Sequence, residues 1–160
     1  MLEFCQWLDQ SSLGTTIRQS LWLFPAIETV HLLGMAALVG TISVLDLRLL
    51  GWVARGQSVA QLAARLIPWA WFGFVVQVIT GALLFSSEAV KIYGNPAFRL
   101  KMLLLLLVGL QALIFQTVIS GKLEAWDRRP SLPAFAKVAG LSSILLWVAI
   151  VTAGRFIGFV

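Results

Sequence analysis

The chain has 160 residues, of which 59% are hydrophobic and 12% are charged, and its mean hydropathy is +0.91. Soluble domains carry roughly 25% charged residues, so this composition argues against a soluble protein and predicts a membrane protein whose partner is the lipid bilayer. The net charge of +5 does not indicate a nucleic-acid partner, because the Lys and Arg residues are scattered at the ends of apolar segments and form no basic block.

The N-terminal residues 1–20 are predicted to form an interfacial amphipathic segment. They contain two acidic residues and lack an uninterrupted apolar core, which excludes a cleaved signal peptide. Leu13, Ile17 and Leu21 share one apolar stripe, so we expect the segment to lie at the membrane surface. Cys5 is the single cysteine, which excludes an internal disulfide, and the chain has no CxxCH motif for covalent haem attachment.

Four later stretches are long and apolar enough to cross a bilayer, which takes about 20 residues. Turn-forming and charged residues separate them. We therefore predict an all-α integral membrane protein, a four-helix bundle forming a single transmembrane domain over residues 1–160. Its spans are predicted at about 21–47, 66–88, 98–120 and 134–159.

The distribution of Lys and Arg near the span ends predicts the orientation. Seven of these residues lie beside the first and third loops, and five lie on the other side. This excess favours cytoplasmic loops one and three, with both termini in the periplasm. We expect a multi-pass protein of the bacterial inner membrane.

The polar residues within the spans are predicted to form two tiers. The first span contains the segment FPAIETVHLLG, in which Glu28 and the only histidine, His31, lie about one helical turn apart. Depth along the helices predicts an outer tier of Glu28, Lys101 and Arg155 and a middle tier of His31, Gln77 and Gln111. A charged group at the bilayer centre costs about 2.5–3.5 kcal/mol. We therefore expect these side chains to face the bundle interior, with Glu28 paired to Arg155.

The first functional hypothesis is a haem-binding electron-transfer subunit. His31 can ligate the iron of haem b as the metal ligand, the outer cations can meet the propionates, and the apolar bundle can hold the macrocycle. The chain has one histidine, so a second axial histidine must come from another copy. The iron could instead be five-coordinate, or be ligated by Met35 or Met102 of a neighbouring chain.

Two other hypotheses use the same residues. The protein could be a non-catalytic subunit or scaffold of a larger membrane complex, with a structural polar network formed by Glu28, His31, Lys101 and Arg155. It could also be a carrier of a small ligand or a metal ion. Nucleophile elbows, zinc-protease motifs and phosphate-binding loops are absent from the sequence, so we expect no catalytic activity of its own.

The string VLDLRLLG ends the first span with two further charged residues. Asp46 and Arg48 are two positions apart and do not face each other on a helix. We interpret Arg48 as a membrane anchor and assign Asp46 no role.

Six sequence motifs along the chain read QSLWLFPAIETVHLLG, GTISVLDLRLLG, PWAWFGF, Thr80–Gly81, NPAFRLKM and AGRFIGF. Together they resemble a family of small bacterial inner-membrane proteins known as a domain of unknown function. The resemblance covers nearly the whole chain and implies a four-helix membrane protein, distantly similar in plan to the copper-resistance D and b-type cytochrome bundles. In that family a histidine can follow a phenylalanine late in the third span, where this chain has Gln116 after Phe115.

Overall fold

The computed structural model describes residues 2–119, 123 and 132–159. The helices with described bounds are α1 Leu2–Asp9, α2 Ser12–Gln19, α3 Leu23–Leu50, α4 Val59–Ser87, α5 Ala89–Gly94, α6 Pro96–Ile114 and α7 Ala134–Phe156. A π-helical turn, Phe115–Ile119, continues α6. The described ranges contain no strand, and the predicted all-α class is confirmed.

Within the described residues, four helices are long and apolar enough to cross a membrane. They are α3, α4, α6 with the first residues of its π-helical turn, and α7. The shortest of them, Pro96–Thr117, has 22 residues, which at about 1.5 Å per residue matches a hydrocarbon core of about 30 Å. The chain is therefore a multi-pass membrane protein, as predicted.

The helix that contains the second predicted span begins before that span. α4 starts at Val59 rather than near residue 66, because the hydroxyl of Ser58 accepts a hydrogen bond from the Gln61 backbone N–H at 3.2 Å and caps the helix. Pro68 lies inside α4, which continues through it. α3 ends where Gly51 adopts a left-handed φ of 78°, a conformation that glycine tolerates best.

Asn95 joins the start of α6 to the end of α7. Its side-chain oxygen accepts hydrogen bonds from the backbone N–H groups of Ala97 and Phe98, while its amide nitrogen donates to the carbonyl of Ile157 at 3.0 Å. One side chain therefore caps α6 and fixes its beginning against the last residues of the fourth span.

The helices pack through α3, which lies against both α4 and α7, while α6 lies against α7. One buried apolar cluster contains Leu45, Leu49, Val59 and Ala63. A second cluster, centred on Trp147, takes one or more residues from each spanning helix and contains Leu38, Ala70, Val108, Trp147 and Ile150. All four spans therefore contribute to the second cluster, although much of each helix remains exposed on the apolar outer surface.

The N-terminal helices form a hairpin that packs on the end of α4 and on α5. The predicted apolar stripe is divided: Ile17 is buried, whereas Leu13 and Leu21 are exposed. Arg18 fixes the hairpin by donating to the carbonyl of Ser87 at 2.9 Å. The hairpin is therefore docked on the bundle, and its position at the membrane surface stays a prediction.

Candidate functional site

His31 on α3 has its imidazole held by a threonine of α4. Nδ1 of His31 lies 2.8 Å from Oγ1 of Thr80, and that hydroxyl also lies 2.6 Å from the carbonyl of Val76. A hydroxyl has one hydrogen and a carbonyl only accepts. Thr80 therefore donates to Val76, and Nδ1–H of His31 donates to Thr80. This tautomer leaves the lone pair on Nε2, to which no described residue hydrogen-bonds.

Gln77 holds the backbone at the same point of α3. Its amide nitrogen donates to the carbonyl of His31. Glycines allow this close approach: a Cβ added at Gly34 would lie 2.6 Å from Cγ1 of Val76, and one at Gly81 would lie 3.4 Å from Cε1 of His31. The α3–α4 interface therefore fixes both the backbone and the ring of His31.

Lys101 of α6 brings a positive charge that acts electrostatically on His31. Its side chain is partly buried and runs along α7, where a Cβ added at Gly154 would lie 3.4 Å from Nζ. Among the described residues, none makes a hydrogen bond or an ion pair with this ammonium. An ammonium has three donors, so Lys101 is available to bind an anionic oxygen near His31.

Gln111 lies on a different interface from His31. Its amide nitrogen donates to the carbonyl of Ala139 at 2.7 Å and to the hydroxyl of Ser142 at 3.1 Å, both on α7. The predicted middle tier is therefore divided, with His31 and Gln77 between α3 and α4 and Gln111 between α6 and α7. Hydrogen bonds of this kind stabilise helix packing in membranes.

Glu28 and Arg155 do not form the expected ion pair. Both side chains are exposed, and no ion pair joins either of them to another residue of the described ranges. The guanidinium of Arg155 lies instead over the ring of Phe159, 5.4 Å from its centroid. The outer tier is therefore not assembled among the residues of one chain that the structure describes.

A second buried polar group, to which the sequence interpretation assigned no role, lies between α3 and α7. Asp46 is only 5% exposed, and the Ser143 side chain of α7 lies near its carboxyl. The helices are close here, since a Cβ added at Gly140 would lie 2.9 Å from the Asp46 carbonyl oxygen. Arg48 donates to the carbonyl of Gln57 at 3.0 and 2.7 Å rather than acting only as a membrane anchor. The sequence feature that could have identified Asp46 as a candidate site residue is an acidic side chain within an apolar span.

A bare metal ion finds few ligands in this arrangement. Within residues 2–119, 123 and 132–159, no three His, Cys, Asp or Glu side chains come together. Protein sites for zinc take three or four protein ligands, whereas a porphyrin supplies its own equatorial nitrogens and needs only axial ligands. A single imidazole therefore suits haem better than a free ion.

The four spanning helices of the described ranges, with a few buried polar side chains, define a small multi-pass membrane protein. Its sequence has no recognisable catalytic motif. The chain belongs to a family of unknown function, DUF6644, whose model matches residues 4–160. This confirms the family resemblance that the six motifs indicated. Searches of curated proteins and of solved structures found no match.

Proposed function

We propose that this protein is a haem-binding electron-transfer subunit of the bacterial inner membrane, with His31 as an axial ligand of haem b. The observation that carries the proposal is the hydrogen-bond chain from His31 Nδ1 through Thr80 to the Val76 carbonyl. Metal-ligating histidines usually donate their other ring N–H to an oxygen acceptor, which orients the ring and directs the free nitrogen at the metal. Thr80 supplies this acceptor, and Nε2 is left with its lone pair.

Three features of the chain around His31 support this proposal. Gly81 leaves the edge of the imidazole uncrowded, and the apolar faces of the helices suit the macrocycle. Lys101, whose ammonium has no bonding partner in the described ranges, can meet a propionate. When bound, the haem would supply the one-electron chemistry, and the chain would hold and orient it.

A second copy of the chain completes the coordination in this proposal. Each chain has one histidine, so two axial imidazoles require two chains, and a two-fold dimer presents the same residue from each. We therefore expect one haem for every two chains. A methionine of the neighbouring chain is the alternative ligand.

The absorption spectrum of the protein, purified in detergent after expression with ample haem, tests the proposal. We expect a Soret band that His31→Ala abolishes. Thr80→Val keeps the shape of the side chain but removes the hydroxyl, and loss of such a supporting contact should weaken haem affinity by about 10–100-fold. Thr41→Val is the matched control, because the Thr41 hydroxyl bonds only carbonyls of its own helix, and it should leave the affinity unchanged.

A wild-type protein that is folded but colourless would contradict the haem proposal. A folded His31→Gln variant would show in addition that His31 is not needed for the fold. The second candidate, a non-catalytic subunit of a larger complex, would then remain. It is favoured by Gln77 and Gln111. The side-chain amide nitrogen of each donates a hydrogen bond to a backbone carbonyl of a neighbouring helix, and such bonds stabilise helix packing in membranes. Co-purification of the intact membrane complex would identify its partners.

Orientation is tested separately by reporter fusions. We propose that the loop between α3 and α4 is cytoplasmic and that both termini are periplasmic, because Lys and Arg are more numerous beside loops one and three. A reporter that is active only in the cytoplasm should work when inserted after Gly56 and fail when fused after Phe159. The opposite pattern would place His31 in the cytoplasmic half of the membrane.

A further inference from the structure

Two buried polar atoms at the α3–α7 interface have no hydrogen-bond partner among the residues that the structure describes. They are Oδ2 of Asp46 and Nε1 of Trp147, and their residues are only 5% and 8% exposed. Leaving a buried polar group without a partner costs about 1–3 kcal/mol, and such groups in native proteins usually have a bound water or ion. One atom is an acceptor and the other is an N–H donor, so the two are complementary.

The antiparallel packing of α3 and α7 favours an approach of the two side chains. α3 and α7 run in opposite directions, since Asp46 near the end of α3 meets Gly140 near the start of α7. Side chains on a helix lean toward its N-terminus. Asp46 therefore leans toward the level of Trp147, while Trp147 leans back toward Ser143, which itself neighbours the Asp46 carboxyl.

The chemistry of the two atoms selects the occupant. An indole N–H can only donate, so it cannot coordinate a metal cation and would repel one. The occupant must accept a hydrogen bond from Trp147 and donate one to Asp46. Water does both, and the Ser143 hydroxyl offers a third polar partner, which is the usual number for a buried water.

We propose that Asp46, Ser143 and Trp147 hold a buried water molecule between α3 and α7, at a site separate from His31. A groove of about 210 Å³ lies between the same helices. This groove is lined by Trp147 and by Ser43, which lies one helical turn before Asp46. The water would lie next to the Asp46 carboxyl, which is the most deeply buried carboxyl among the described residues of the spans.

Solid-state NMR of the full chain in lipid bilayers, with ¹⁵N-labelled indole groups, tests this inference with water itself as the probe. Trp147→Phe identifies the Trp147 signal among those of the seven tryptophans. We expect magnetisation transfer from water to the Trp147 indole N–H, although that atom is fully buried. Trp52, which is exposed in the loop after α3, is the positive control.

Two variants separate a bridging water from accidental hydration. Asp46→Asn keeps a side-chain oxygen and should retain the transfer, whereas Asp46→Leu removes the acceptor and should reduce it to the noise level. Absence of transfer in the wild type would overturn the proposal, whether or not the variants fold, and so would an unchanged transfer in Asp46→Leu.

Discussion

Gly73→Ala is expected to destabilise the protein by about 1–3 kcal/mol, the usual cost of overpacking. A Cβ at this position would lie 2.8 Å from the backbone nitrogen of Leu38 and 3.0 Å from the carbonyl oxygen of Gly34. Both obstacles are backbone atoms, which cannot rotate away, so α4 must move off α3. The contacts from Thr80 and Gln77 to His31 cross the same interface and should be lost with it.

Two other glycines provide matched controls for this substitution. Gly40 on α3 and Gly109 on α6 have no atom within 4 Å of an added Cβ. Alanine favours a helix over glycine by about 1 kcal/mol, so these controls should be neutral or slightly stabilising, opposite in sign to Gly73→Ala. Unfolding in mixed detergent, followed by circular dichroism, measures all three. Equal stability of Gly73→Ala and Gly40→Ala would show that the α3–α4 approach is not limiting.

The spans could be predicted from the sequence because hydropathy and length determine which segments enter a bilayer. The tiers could not, because depth along a helix says nothing about rotation around it. The sequence predicts one depth for Gln77 and Gln111, yet they face different neighbours. Glu28 precedes His31 by three residues, which at 3.6 residues per turn rotates it by about 60°, and the structure leaves it exposed.

The burial of Asp46 depends on a residue far away in the chain. It is covered because Gly140 allows α7 to touch the backbone of α3, and neither the VLDLRLLG segment nor its charge pattern contains that information. The hydrogen bond between Thr80 and His31 could not be predicted from the sequence either, because the Thr80–Gly81 pair indicates only the family resemblance. Partners across helices therefore had to come from the packing of the fold.

Gly14→Ala is expected to expose Cys5 to a water-soluble maleimide. Cys5 lies on α1, is the single cysteine and is only 3% exposed, so the docked hairpin should protect it. A Cβ at Gly14 would lie 2.5 Å from the carbonyl oxygen of Ser86 and 2.9 Å from that of Leu8. Both are backbone atoms, so the substitution should push the α1–α2 hairpin off the end of α4.

The size of the effect follows from local opening. If the clash costs about 1–3 kcal/mol, the open fraction of the hairpin, and with it the labelling rate of Cys5, should rise by about 5–150-fold. Arg18→Leu removes the hydrogen bond to Ser87 and should raise the rate by an independent route. Gly94→Ala, with no atom within 4 Å of the added Cβ, is the control and should stay protected. Rapid labelling of the wild type, or an unchanged rate in Gly14→Ala, would show that the hairpin is not held on α4.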